Sequence, residues 1–185
     1  LPMLFMGEEF GETNPFLYFV SHLDPDLVEA VRAGRKQEFA DFQWEEEPPD
    51  PQSKETFARS KIEWGKKNLS PFRELLAFHC RLIAIRKQYI TPLIPDRTAT
   101  RVFRMGRDTI GLTYQSKKPL FCVFHLSDKE KMVSTDFLQP GIWSKILDSS
   151  EPQWNGSGPD LPDNLGNELS FTTYSLGAYG REDRS

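Results

Sequence analysis

The chain has 185 residues, 38% of them apolar and 27% charged, with a formal net charge of −4. That balance gives no electrostatic footprint for nucleic acid, which requires clustered Lys and Arg, and no apolar stretch approaches the ~20 residues of a bilayer-crossing helix. The two cysteines, Cys80 and Cys122, fall in segments that read as helix and strand, so two buried free thiols in a reducing cytoplasm are expected rather than a disulfide scaffold.

Residues 1–7, Leu-Pro-Met-Leu-Phe-Met-Gly, are apolar on both faces, with Met3 and Phe5 on one and Leu4 and Met6 on the other. This is the pattern of a strand inside a parallel sheet covered on both sides. Such a sheet needs further strands, each with a crossover of about a dozen residues or more, so the chain is expected to be the later part of a larger enzyme. The strand runs into an acidic loop, Glu8-Glu9-Phe10-Gly11. Asp24-Pro25-Asp26 then sets an N-cap before a proline at the first helical position. Gly34 is expected to interrupt or end that helix, with a second helical stretch over 35–42 that turns Phe39 and Phe42 inward. Residues 45–52, rich in acids and prolines, read as an irregular loop, and Ser53 caps a short helix carrying Phe57, Ile62 and Trp64.

Ser70-Pro71 repeats the cap-and-proline signal and opens the strongest helix, with an inward stripe at Phe72, Leu75, Leu76, His79, Leu82 and Ile83. After Thr91-Pro92 to Pro95-Asp96 the text changes to short segments rich in β-branched and aromatic residues: 101–105, 109–115, 120–126, 131–137, 143–147, 168–174 and 176–179. They predict an antiparallel β domain, with Gly106-Arg107-Asp108 as a hairpin turn and 148–167 as a long loop. The order matches the last strand and helix of a (β/α)8 barrel, residues 1–92, followed by a C-terminal antiparallel β-sandwich, residues 93–185.

In a barrel enzyme the chemistry lies at the carboxyl ends of the strands, which is where Glu8 and Glu9 fall. A glycoside hydrolase needs two carboxyls across the scissile bond. Adjacent residues of an extended chain point to opposite sides, so Glu8 and Glu9 are not the catalytic pair; one of them bonds a substrate hydroxyl or orients a neighbour. Cys122 and His125 have a zinc-like interval but no second ligand pair, and positions three apart in a strand face opposite ways, so they read as structural and no metal site is expected. His79 reads as a core histidine, and His22 is the histidine with a functional prospect. Arg32, Arg35 and Lys36 either grip substrate hydroxyls or pair with the acids at 45–47. Trp143 reads as core, whereas Trp154, inside the polar loop, stays open between packing and sugar stacking.

The run Leu1-Pro2-Met3-Leu4-Phe5-Met6-Gly7-Glu8-Glu9-Phe10-Gly11 resembles the eighth-strand segment of α-amylase-type glycoside hydrolases. Asn14-Pro15-Phe16-Leu17-Tyr18-Phe19, Ser21-His22-Leu23-Asp24-Pro25, the run from Ala30 to Phe39, Asp50-Pro51-Gln52 and Thr56-Phe57-Ala58-Arg59-Ser60-Lys61 are similar to one subgroup, the malto-oligosyltrehalose trehalohydrolases; strand ends in the family often carry Trp where this chain has Phe10. The resemblance is specific over about residues 1–90 and looser over the β domain. It implies hydrolysis of the α-1,4 bond next to the trehalose end of maltooligosyl trehalose, without cofactor or metal. It further implies that the nucleophile, the acid/base and a second aspartate lie on earlier strands, so that no catalytic residue is in this chain and the chain alone is silent. Glu9, Phe10 and His22 then become candidate substrate-side residues and Glu8 a brace behind them, with the α-glucan and the upstream barrel as partners and neither nucleic acid nor membrane. A glycogen-branching-type α-glucan transferase is the alternative enzyme, and a non-catalytic glucan-binding or interaction module the alternative of another class.

Overall fold

A computed structural model describes residues 2–41, 47–93 and 96–182. The chain forms two compact units, residues 1–73 and 74–185, and the long helix shares a core with the sheet.

In the first unit the expected opening strand is not formed. Residues 2–5 have no regular structure and no strand of the described chain pairs with them, so the ladder that defines a strand is missing and Met3 is 84% exposed. Met6 and Gly7 turn the chain with φ of 39° and 88°, a left-handed bend in which a Cβ on Gly7 would meet the Glu12 Cβ at 2.8 Å. Helix α1 (Pro25–Asp41) starts as expected, with Asp24 Oδ1 accepting the Asp26 and Leu27 amides at 2.9 and 3.4 Å. It runs straight through Gly34. One interior glycine costs only about 1 kcal/mol, and pairs Arg32–Glu29 and Arg35–Glu38 brace the turns on either side. Phe42 lies outside the described residues, and Phe39 is half-buried.

Ser53 caps α2 (Lys54–Arg59), its Oγ accepting the Glu55 amide at 3.1 Å. The helix stops there, leaving Ile62 and Trp64 beyond it. Helix α3 (Phe72–Ile85) begins directly after Pro71, and the Ser70-Pro71 peptide is cis.

In the second unit, strands β1 (Thr100–Arg104), β2 (Thr109–Tyr114), β3 (Leu120–His125), β7 (Ser175–Glu182) and β5 (Ile142–Asp148) form one antiparallel sheet in the order β1-β2-β3-β7-β5. A second sheet pairs β4 (Lys131–Ser134) with β6 (Glu168–Phe171). Period-two alternation sorts the side chains. Phe121, Val123 and Tyr179 join Val133, Leu169 and Phe171 in a core between the two sheets, while Leu120, Cys122 and Ala178 face Ile85, Phe78 and Leu82 of α3 on the other side. A bulge between Lys145 and Leu147 lets Ile146 and Leu147 both face the helix.

The helix meets the sheet through Phe78, Leu82 and Ile85, with Tyr89 of the turn that follows it. Of the expected stripe, Leu82 makes this contact, Phe72, Leu75, Leu76 and His79 are half-buried, and Ile83 is exposed. Cys80, expected buried, is exposed; both thiols are free.

Candidate functional site

The acidic turn is a single 3-10 turn, Glu8–Phe10, between left-handed Gly7 and Gly11. Glu8 Oε2 accepts the Phe5 amide at 3.0 Å, so this carboxylate fixes its own loop. Glu9 is half-buried. Phe10 points inward, 1% exposed, with its ring centroid 6.1 Å from that of Trp64. It anchors the turn from beneath. Lys67 Nζ stands 5.4 Å over that same indole.

A buried ion pair of this unit leaves no mark in the local sequence. Glu12 accepts Lys66 Nζ at 2.7 Å together with the amides of Thr13 and Asn14 on one oxygen and of Glu63 on the other. Burial pushes its carboxyl up, and the Lys66 and backbone hydrogen bonds together outweigh that and lower it to about 2. Lys66 also bonds Thr13 Oγ1 and Asn14 Oδ1. Nothing local marks the pair, because its members lie 54 positions apart. A cleft of about 170 Å³ beside it is lined by Phe5, Glu8, Glu12, Asn14, Phe16 and Ser60.

His22 is held through its main chain. Gln52 clamps its backbone, accepting the His22 amide at 3.2 Å and donating to its carbonyl at 2.6 Å. No hydrogen bond or ion pair among the described residues joins His22 to Glu8 or Glu9. The basic cluster is paired: Arg32 makes two bonds to Asp50 and Lys36 lies 3.5 Å from Glu47, while the Arg35 guanidinium stands 5.0 and 5.2 Å from the ring centres of Tyr18 and Phe39. Asp50 is held below the usual carboxylate range by Arg32 and the Gln52 amide. The acids at 45 and 46 lie outside the described residues.

In the second unit the open readings close as packing. Trp143 is buried, its Nε1 donating to the Gln139 carbonyl at 3.0 Å. Trp154 packs edge to face on Phe78 at 5.5 Å and is no free platform. His125 is a satisfied core group between Thr109 Oγ1 (2.9 Å) and the Lys129 carbonyl (2.8 Å), stacked on Phe171. It sits on the opposite face of β3 from Cys122. Half-buried His79 donates to the Leu75 carbonyl at 3.1 Å. Among the described residues no three His, Cys, Asp or Glu side chains are grouped to hold a metal, and no helix is long and apolar enough to cross a membrane.

No family model matches the chain. A malto-oligosyltrehalose trehalohydrolase from Arthrobacter ramosus is 48% identical over 88 residues, 47% of this chain, and one from Saccharolobus solfataricus is 44% identical over 89 residues, 48% of it. Over about half of its length this chain is similar to malto-oligosyltrehalose trehalohydrolases. It spans about 15% of the length of these curated trehalohydrolases. Among solved structures, a candidate α-amylase from Salmonella typhimurium aligns over 98% of this chain and 28% of its own, with a TM-score of 0.71 and 29% identity. The trehalulose synthase MutB aligns over 98% of the chain at a TM-score of 0.54 and 17% identity, a likeness of fold alone.

Proposed function

We propose that the chain is part of a glycoside hydrolase that cleaves the α-1,4 bond beside the trehalose end of maltooligosyl trehalose and releases trehalose. The observation that carries this is the 48% identity to a trehalohydrolase over 88 residues, supported by the alignment of nearly the whole chain onto an α-amylase-type structure. In that reading residues 1–92 supply the last strand and helix of a (β/α)8 barrel and 93–185 the C-terminal β domain. The exposed apolar side chains of Met3, Leu4, Phe5 and Met6 support it, because they lie on both faces of a segment that a barrel would cover on both sides. The reacting carboxyls come from earlier strands, so this chain positions rather than reacts. Glu9 and His22 face the substrate side, Phe10 braces the floor, and Glu8 holds the turn. The substrate is an α-glucan ending in trehalose, and the setting is cytoplasmic.

The test is product analysis of the intact parent enzyme on maltotriosyl trehalose. Free trehalose, with none released by the 185-residue chain alone, is the expected result. New α-1,6 branches, or steady trehalose release by the pure chain, would overturn the assignment.

A further inference from the structure

A cleft of about 480 Å³ in the first unit is walled by Phe19 and Phe57 and rimmed by Ser21, Gln52, Ser53 and Lys54. Its volume lies within the ~300–1,000 Å³ of small-ligand sites. The two rings meet edge to face, centroids 5.1 Å apart at 67°, and remain 36% and 45% exposed. The walls are tied through the backbone: the Val20 amide donates to the Pro51 carbonyl at 2.9 Å, Gln52 clamps His22, and the Thr56 hydroxyl donates to the Asp50 carbonyl at 2.7 Å. Lys61 Nζ, 4.7 Å over the Phe57 ring, steadies that wall.

The rim is a set of donors. Ser53 Oγ accepts the Glu55 amide, which leaves its own proton to give. The Ser21 hydroxyl and the Lys54 ammonium have no hydrogen-bond or ion-pair partner among the described residues. No carboxylate lines the cleft.

We propose that this corner is a saccharide subsite that takes a glucosyl residue of an α-glucan, an inference that rests on the hydrolase reading above. Two phenyl faces at a steep angle offer apolar contact to the C–H faces of a pyranose, and three donors at the rim suit its neutral hydroxyls. A polyanion would find a single ammonium there, and an apolar peptide would leave the donors unpaired.

Calorimetric titration of maltotriose into the intact 185-residue chain tests this. Binding is expected, weakened about tenfold or more in Phe57→Ala and about two- to tenfold in Ser21→Ala, an exposed position whose loss leaves the melting temperature unmoved. Absence of binding at millimolar maltotriose, or binding that both variants leave unchanged, would overturn the subsite. A parent enzyme that releases no trehalose would overturn the hydrolase assignment while leaving Phe57-dependent maltotriose binding to stand. A parent that releases trehalose with the same KM in Phe57→Ala would sink the subsite and spare the assignment.

Discussion

Glu12 and Lys66 meet at 2.7 Å across 54 positions of sequence, with 4% and 17% of their side chains exposed. Because the same carboxylate also collects the amides of Thr13, Asn14 and Glu63, it pins the glycine-flanked acidic turn to the short helical turn Lys66–Asn68. The turn that presents Glu8 and Glu9 is thus positioned by a third acid.

This relationship has a pH signature. The Glu12 carboxyl lies at about 2 in the folded chain against an ordinary 4.5. A depressed folded value means that its stabilisation is complete above about pH 4.5 and is lost as pH falls toward about 2. In urea denaturation followed over that range, the gap between wild type and Glu12→Gln is expected to close with acid. At neutral pH the substitution should cost about 1–3 kcal/mol. A gap that persists unchanged at the acid end would refute the linkage.

The two thiols should separate kinetically. Cys80 is exposed on α3, while burial pushes the Cys122 thiol up to about 12, and only the thiolate reacts. A disulfide reagent at neutral pH is expected to titrate one thiol in the native chain and the second only on unfolding. Two fast thiols would contradict the packing of β3 against the helix.

Asp148, fully buried at the end of β5, organises the loop that follows. One oxygen accepts the Ser150 amide at 2.9 Å and the other those of Asp160 and Leu161, each at 3.0 Å. Asp148→Ala strands three amides and should lower stability by about 3 kcal/mol. Thermal unfolding of the variant checks this, and a melting temperature equal to wild type would disprove it.

The β strands were legible because alternation and turn chemistry are local: Gly106-Arg107-Asp108 does connect β1 to β2, and all seven segments carry strand. The caps at Asp24 and Ser53 were legible for the same reason. The face of α3 was legible only in part, since Leu82 meets the sheet as expected and Ile83 does not. Phe72, Leu75, Leu76, Phe78, Leu82, Ile83 and Ile85 leave the helix apolar over most of its circumference, so the stripe that meets the sheet is decided by tertiary packing rather than by periodicity. The opening segment has no ladder within this chain, because a ladder needs partners, which a hydrophobic pattern cannot supply. In the candidate site the turn and its residues were visible, but the Glu12–Lys66 pair was not, since an ion pair between distant positions leaves no spacing to read.

Gln52 provides the last test, because its side chain imitates a neighbouring strand. It accepts the His22 amide and donates to the His22 carbonyl, and its own amide is held by Asp50 Oδ1 at 3.0 Å, the carboxylate that also takes the Arg32 guanidinium. Arg32 on α1 therefore reaches His22 through two intermediates. Removing the side chain in Gln52→Ala should speed hydrogen exchange at the His22 amide, whereas the Val20 amide, bonded to the Pro51 carbonyl, keeps its protection. Arg32→Gln should produce the same change at His22 with smaller amplitude, since Asp50 retains its bond to the Gln52 amide. If Gln52→Ala leaves exchange at His22 as in wild type, or if Val20 loses protection equally, the clamp is not what orders this segment.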